Sequence, residues 1–228
     1  MPYLRAVPFA LALVSVSPAA HAHSLTELER LLGDKEKYFQ AIDKEAPKFF
    51  LQDADGRHLE LASLRGKVLV LHFIYAGCPD VCPLHADRIA EVQRMVNLTP
   101  MKLQVQFISV TTDPKNDTPV VLRTYGELHG LDRANWAFLT ITPSQAEDTT
   151  RKLAEQFGHK FVKQADGYQV HGIVTHIIDK EGRWRANFYG LKFEPLNLVL
   201  FINALVNDPQ KPHEHPERNL WERLKGLF

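Results

Sequence analysis

The sequence contains little cysteine, and Cys78 and Cys82 are the only two in 228 residues. It also has no excess of charge, because 27 basic residues balance 27 acidic ones. With no basic block and no net charge, nothing in the chain indicates nucleic-acid binding. We detect no internal repeat, and no apolar run has the length of about 20 residues that a membrane-spanning helix needs. What remains is an ordinary globular composition, 45% hydrophobic, with enough chain for one good core.

The N-terminus has the pattern of a secretory signal peptide. Arg5 precedes an apolar run over 6–18, and Ala20-His21-Ala22 resembles a cleavage site. We therefore expect residues 1–22 to be a signal peptide that is removed after Ala22. The mature protein would then work in the periplasm or another extracytoplasmic compartment. The alternative is an uncleaved membrane anchor that faces the same compartment. No cysteine lies directly after the apolar run, which argues against a lipid anchor.

The rest of the chain divides into three parts. Apolar residues at helical spacing between Ser24 and Ala41 predict a helical lead-in over 23–46. One domain is predicted over 47–206, and a tail rich in proline and charge over 207–228. Histidines near the two ends could chelate metal weakly, but a spacer and a solvated tail explain them more simply: His21, His23, His213 and His215.

Within the domain, helices alternate with strands. The predicted elements are a hairpin over 49–61, strands over 67–75, 103–110, 136–140, 172–179 and 183–188, and helices over 80–97, 119–129, 144–158 and 195–206. This order predicts an α/β sandwich with a mixed central sheet, flanked by helices and with an N-terminal β-hairpin. In such sheets, sites form beyond the carboxyl ends of the strands, and Cys78 falls at that edge.

The two cysteines lie where a buried strand is followed by a helix. Aligned backbone N–H groups at a helix N-terminus favour a thiolate over a thiol. If Cys82 lies on the first helical turns, the four-residue spacing brings both sulfurs to one face. The spacing alone leaves three interpretations open: an inert disulfide, thiol–disulfide exchange and metal binding.

Three histidines are candidates for a third ligand on a copper ion, since imidazole suits copper. His85 lies on the cysteine helix, His171 precedes a late apolar strand, and His176 lies inside that strand. In an extended strand, His176 would point to the face opposite that of His171. His72, between leucine and phenylalanine in the central strand, is interpreted as a hydrogen-bonded core histidine.

Four other residues near the thiols have structural as well as functional interpretations. Asp113 and Asp117 could line a metal site, but a Thr-Asp-Pro turn followed by a helix cap, at Asp117 or Thr118, explains them more simply. Tyr75 and Asp80 border the thiols. Asp80 could interact with the helix N-terminus or belong to a docking surface for an acceptor.

Three stretches of the sequence resemble the Sco/SenC family. They are Phe73-Ile-Tyr-Ala-Gly-Cys-Pro-Asp-Val-Cys-Pro83, Asp113-Pro-Lys-Asn-Asp-Thr-Pro119, and Tyr168-Gln-Val-His171 with Ile177-Ile-Asp-Lys-Glu-Gly182 after it. The resemblance covers about 46–206, with the motifs in the family's order. It implies a thioredoxin-like fold and a role in assembling the copper site of cytochrome c oxidase.

By position, the resemblance implies that Cys78, Cys82 and His171 bind copper. The partner would be an apo copper acceptor such as an oxidase subunit, with other periplasmic copper carriers or thiol reductants as further partners. Two departures stand beside the histidine: Val170 replaces the usual Asp, and Gly172 replaces Ser or Thr. A carboxylate that orients the ligating imidazole would then be missing.

Two thiolates favour Cu(I), and an added imidazole supports Cu(II) as well. Our first hypothesis is therefore a copper metallochaperone that donates its metal and performs no turnover catalysis. The second is a thiol–disulfide oxidoreductase that reduces an acceptor's cysteines before metallation. Thioredoxins space their cysteines by two residues rather than three, which argues against the second. A third hypothesis, a copper or redox sensor, has no distinct feature in the sequence.

Overall fold

A computed structural model describes residues 25–163, 169–170 and 172–208 of the chain. The α-helices are α1 (Leu25–Lys35), α2 (Val81–Asn97), α3 (Pro119–Leu128), α4 (Thr149–Gln156) and α5 (Pro195–Asn207). The strands are β1 (Phe39–Glu45), β2 (Phe50–Asp53), β3 (His58–Glu60), β4 (Val68–Ile74), β5 (Val105–Thr111), β6 (Trp136–Thr140), β7 (Val162–Lys163), β8 (Gln169–Val170), β9 (Val174–Ile178) and β10 (Arg183–Tyr189).

Eight of these strands form one mixed sheet in the order β1-β10-β9-β4-β5-β6-β2-β3. The β4–β5 and β5–β6 pairs are parallel, whereas β4–β9 and the outer pairs are antiparallel. Every residue of β4 is buried, as expected for a continuous apolar strand at the centre of a sheet covered on both sides. The predicted mixed sheet flanked by helices is confirmed, as is the hairpin β2–β3.

Side chains alternate along β4 between two cores. Val70 and Ile74 belong to a core that includes residues of α2, α3 and α5, and we call this side of the sheet the α2 face. Leu71 and Phe73 belong to a core with α4, on the side that we call the α4 face. Full burial of such a side chain stabilises the fold by roughly 1.5–3 kcal/mol, so both faces hold β4 in place.

The N-terminal segment differs from its prediction. The helix expected over 24–41 ends at Lys35, and Phe39–Glu45 form β1, antiparallel to β10. Phe39 packs edge-on against Phe188 and Phe201, with ring centroids 5.3 Å apart in both pairs. The lead-in is therefore helical only in its first part, because pairing with an available sheet edge overrides the helical spacing of Phe39. The helix expected over 144–158 is also shorter, since α4 spans Thr149–Gln156.

Candidate metal centre

The two cysteines lie in the connection between β4 and α2. The Cys78 N–H donates to the Tyr75 carbonyl over 3.2 Å, which closes a turn after β4. The Cys82 N–H, in the first turn of α2, donates to Cys78 Sγ over 3.4 Å. Both side chains are buried, with 4% and 2% of their surface exposed. The predicted junction of strand and helix therefore brings the two buried thiols together.

The two thiols have opposite tendencies to ionise. Burial raises the pKa of Cys78, but hydrogen bonds from the backbone N–H groups of Asp80 and Cys82 outweigh burial and leave that pKa below the ordinary thiol value. Burial raises the pKa of Cys82 far above that value, and negative charge on Cys78 and Asp117 adds to the effect. Cys78 is therefore the more nucleophilic thiol, and Cys82 needs a nearby cation to give up its proton.

A buried carboxylate ties the cysteine loop to the next strand. Both Asp117 oxygens lie within hydrogen-bond distance of the Ala76 N–H, at 3.1 and 3.0 Å, and the Thr111 hydroxyl donates to Oδ2 over 2.5 Å. Burial raises the pKa of Asp117 in spite of these donors. The carboxylate thus joins the carboxyl ends of β4 and β5, two residues before Cys78.

Thr118, and not Asp117, caps α3. Its side chain accepts the Val121 N–H, and Pro119 occupies the first helical turn. Asp113 has the predicted turn role, because its side chain accepts from the Asn116 amide over 2.8 Å. The sequence pattern therefore predicts the turn correctly but does not reveal that Asp117 holds the cysteine loop. The Ala76 N–H that donates to Asp117 is 41 residues away along the chain.

Aromatic and apolar side chains surround the thiols. Tyr75 and Val81 pack against the cysteine pair. Tyr125, on α3, buries a hydroxyl that has no hydrogen-bond partner among the described residues. Burial raises the pKa of Tyr125, and negative charge on Cys82 and Cys78 raises it further. A low-polarity surrounding of this kind strengthens the attraction between a thiolate pair and a cation.

The three histidines other than His171 have structural roles. His85 Nε2 lies 2.8 Å from the Thr175 hydroxyl, and His176 has both ring nitrogens engaged, by His159 and by Asn187. His72 is fully buried and hydrogen-bonded to Ser109 over 3.1 Å, which confirms the prediction of a core histidine. Because both of its ring nitrogens are engaged, His176 is not available as the third ligand in this arrangement.

Several predicted features lie outside the described residues. They are His171, the signal peptide over 1–22, and the terminal histidines His21, His23, His213 and His215. Within the described ranges, no three side chains of the types His, Cys, Asp and Glu converge as a metal site. The cysteine pair is thus the part of the predicted centre whose geometry is defined.

A family model described as SCO1/SenC matches residues 39–203, which is well over half of the chain. The chain belongs to the SCO1/SenC family. A SCO1 protein homolog of Bacillus subtilis is 26% identical over 162 residues, covering 70% of this chain and 81% of the relative.

Solved structures agree with this membership. A SCO1/SenC family lipoprotein from Bacillus anthracis aligns with a TM-score of 0.66 and 25% identity, over 73% of this chain and 97% of the other. ScoI of Bradyrhizobium japonicum, solved with copper bound, aligns with a TM-score of 0.58 and 27% identity, over 71% and 99% of the two chains. The expected thioredoxin-like fold is confirmed.

In the part of the chain that the structure describes, no helix of this SCO1/SenC protein is both long enough and apolar enough to cross a bilayer.

Proposed function

We propose that this protein is a copper metallochaperone whose ligands are Cys78, Cys82 and His171, and that it delivers copper to an apo acceptor such as a cytochrome c oxidase subunit. The observation that carries the proposal is the pair of buried thiols at one strand–helix junction in a SCO1/SenC chain. The copper-bound ScoI of B. japonicum, at 27% identity, supports copper as the cargo. The resemblance of three sequence motifs supports the oxidase as the acceptor and His171 as the third ligand.

The described residues suit a soft metal ion. Thiolates bind Cu(I) strongly, and one imidazole in addition makes Cu(II) acceptable. Copper would displace the proton that burial holds on Cys82, so metal loading is coupled to proton release. The Asp117 hydrogen bonds to Ala76 and Thr111 hold the cysteine loop in place, so little ordering is required on loading.

The working compartment in this proposal is the periplasm or an equivalent space outside the cytoplasm. There the thiols can also oxidise to a Cys78–Cys82 disulfide, a form that would bind copper poorly. Copper carriers and thiol reductants of that compartment are therefore plausible upstream partners.

One observation favours the second candidate, thiol–disulfide exchange. Cys78 has a lowered thiol pKa and Cys82 a raised one, the asymmetry expected of an attacking and a resolving cysteine. Cys78 thiolate would attack an acceptor disulfide to form a mixed disulfide, and Cys82 would then displace the second acceptor thiolate. The protein would end as the Cys78–Cys82 disulfide, two electrons poorer, and a thiol reductant would have to regenerate it.

The test is an anaerobic Cu(II) titration of the reduced protein, followed by absorption spectroscopy. We expect an intense thiolate-to-copper charge-transfer band that saturates at one copper per chain. Cys78→Ser and His171→Ala should each abolish or strongly shift the band. His58→Ala is the matched control, because His58 is exposed on β3 at an edge of the sheet. Rapid thiol oxidation without a band would reject the chaperone proposal and favour disulfide exchange.

A further inference from the structure

A cavity on the α2 face lies apart from the cysteine pair. It has a volume of about 130 Å³ and is bounded by α3, β6 and the turn of the β2–β3 hairpin. Neither Cys78 nor Cys82 lines it. An apolar cavity of about 150 Å³ is known to hold one benzene molecule. The space therefore suits a single ring or a short branched chain.

The inner wall of this cavity is apolar and fixed in place. Trp136 and Phe138, alternate residues of β6, line it together with Leu131, and each is at most 9% exposed. The Trp136 ring stacks on Phe107, with ring centroids 5.4 Å apart. On α3 the wall contains Gly126, where an added Cβ would lie 2.8 Å from the Phe138 ring. A side chain at that position would displace the ring, so glycine preserves the shape of the wall.

Three guanidinium groups stand at the mouth of the cavity, those of Arg57, Arg123 and Arg133. All three approach one carboxylate, that of Asp55. Arg133 Nη2 lies 3.1 Å from Asp55 Oδ2, but Arg57 Nη2 and Arg123 Nη1 come no closer to this carboxylate than 3.7 Å, beyond hydrogen-bond distance. Each guanidinium has five N–H donors, so one carboxylate leaves donors for a further acceptor.

The turn that carries Asp55 is held by Asp53. The buried Asp53 carboxylate accepts the N–H groups of Asp55 and Arg57, each over 2.9 Å, and Arg57 Nε–H over 2.8 Å. Asp53 thus balances Arg57 and leaves Asp55 to the other two arginines. Glu127 also lines the cavity, but it is exposed and, within the described part of the chain, forms an ion pair with none of the three arginines. The positive groups at the mouth are therefore incompletely paired.

We propose that this cavity binds a small apolar carboxylate. The apolar body of the ligand contacts Trp136 and Phe138, and its carboxylate takes the place of Asp55 between Arg123 and Arg133. Two sources present this chemistry, a free organic acid and the C-terminal residue of a polypeptide. The proposal does not depend on copper binding.

Asp55 acts as an internal competitor in this arrangement. Its side chain is 42% exposed, so it can turn into solvent when another carboxylate arrives. The incoming carboxylate gains charge-assisted hydrogen bonds from two guanidinium groups, which bind carboxylates with two parallel N–H donors. The ligand also brings an apolar body to the wall behind them, which the Asp55 side chain does not supply. An anion without such a body replaces Asp55 with no further gain.

The test is a titration of the full-length protein with sodium benzoate at constant ionic strength, followed by the indole N–H resonance of Trp136 in NMR spectra. Trp136→Phe identifies that resonance. We expect a saturable shift with one site per chain. Asp55→Asn removes the competitor and should tighten binding by about tenfold, whereas Arg133→Gln should weaken it by about tenfold. Arg94→Gln is the matched control, since it removes one charge from an exposed position on α2 and should leave the affinity unchanged.

Ligand variants separate the two parts of the proposed ligand. Benzyl alcohol retains the ring without the carboxylate, and acetate retains the carboxylate without the ring. Each should bind at least about tenfold more weakly than benzoate. A short peptide that ends in phenylalanine with a free carboxylate, compared with its amidated form, distinguishes the sources. Tighter binding of the free-acid peptide than of benzoate would assign the site to a chain end, and weaker binding would assign it to a free acid.

Three results would overturn the proposal. They are the absence of a saturable shift at Trp136, equal affinities for benzoate and benzyl alcohol, and equal benzoate affinities in Asp55→Asn, Arg133→Gln and Arg94→Gln. The substituted side chains are exposed or half-exposed, so these variants should fold. The copper titration of the same variants should match wild type, because no substituted residue belongs to the cysteine site. Failure of either proposal is therefore visible separately from the other.

Discussion

Among the residues that the structure describes, each face of the central sheet buries two histidines, but their hydrogen-bond partners differ. On the α2 face, the rings of His72 and His85 lie 4.8 Å apart between centroids, and the two side chains hydrogen-bond to the hydroxyls of Ser109 and Thr175. On the α4 face, His159 and His176 bond to each other. A hydroxyl can rotate to donate or to accept, whereas a pair of ring nitrogens needs one proton and one lone pair. The first arrangement is therefore compatible with either neutral tautomer, whereas the second requires one defined tautomer at each ring.

An indole N–H supports both arrangements. Trp136 donates to Ser109 on the α2 face, and Trp184 donates to Asn187 on the α4 face, each over 2.9 Å. Ser109 holds His72 with a hydroxyl that is still free to act in either sense, while the carbonyl oxygen of Asn187 can only accept. The polar group that holds the histidine therefore decides whether one tautomer of its ring is fixed.

The largest effect on stability is expected when the side chain that hydrogen-bonds to the buried histidine is removed, which is Ser109 on the α2 face and Asn187 on the α4 face. Asn187→Ala leaves the His176 Nδ1–H group without its acceptor and leaves Trp184 Nε1–H with the Ala186 carbonyl alone. We expect it to lower the free energy of unfolding by about 2–3 kcal/mol at pH 7.5. Ser109→Ala breaks fewer hydrogen bonds and leaves a smaller void, so we expect about 1–2 kcal/mol. Denaturant unfolding measures both. Equal losses would remove the distinction between the faces.

The pH dependence of stability should reflect the buried His176 on the α4 face. Because the folded-state pKa of His176 is depressed, its contribution is fully present above about pH 6.5 and is lost as the pH falls. His176→Phe should therefore flatten the decline in unfolding free energy between pH 6.5 and 5 by roughly 1 kcal/mol per pH unit. The control variant His58→Phe, at an exposed position on β3, should keep the wild-type slope. Parallel slopes for all three proteins would contradict this reasoning.

The thiols at the end of β4 should differ in reactivity. With its lowered pKa, Cys78 should be alkylated by iodoacetamide at least about tenfold faster than Cys82 at pH 7.5 under anaerobic conditions. Mass spectrometry of the digested protein measures the two rates. Cys82→Ser serves as the control, since the backbone N–H that donates to Cys78 remains in that variant. Similar rates at the two cysteines would be evidence against the asymmetry.

The smallest effect is expected at Tyr125. Its buried hydroxyl has no partner among the described residues, so Tyr125→Phe should raise the free energy of unfolding by about 1 kcal/mol. Tyr189→Phe is a matched control with the opposite sign, because the Tyr189 hydroxyl bonds to Asn187 and to Gln40. Destabilisation by Tyr125→Phe would show that its hydroxyl is satisfied in solution.

Local sequence patterns were sufficient for the central features of the fold. The apolar run before Cys78 predicts β4, the spacing after Pro79 predicts α2, and together they place both thiols at the edge of the sheet. The N-terminal segment could not be separated in the same way. Phe39 fits the helical spacing of the preceding leucines, and only its contact with β10, far along the chain, makes it part of a strand.

The supporting interactions of the site and of the α4 face were harder to predict. Asp117 and Ala76 meet because β4 and β5 end side by side, and a turn motif does not contain that information. His159 stands alone after a short helix and has no sequence signal of its own. Its role appears only when β9 brings His176 within hydrogen-bond distance. Residues that act through a distant partner are invisible to local periodicity.

The pairing of β1 with β10 has a consequence for folding. Phe39 pairs with Phe188, a sequence separation of about 150 residues. A chain made from its N-terminus therefore presents β1 long before its partner strand exists. Contacts of such long range form late and slow the folding of a domain. Until β10 has been synthesised, β1 is an unpaired strand that can pair with strands of other chains. A chaperone or holdase that covers the first residues of the domain would therefore increase the yield of folded protein.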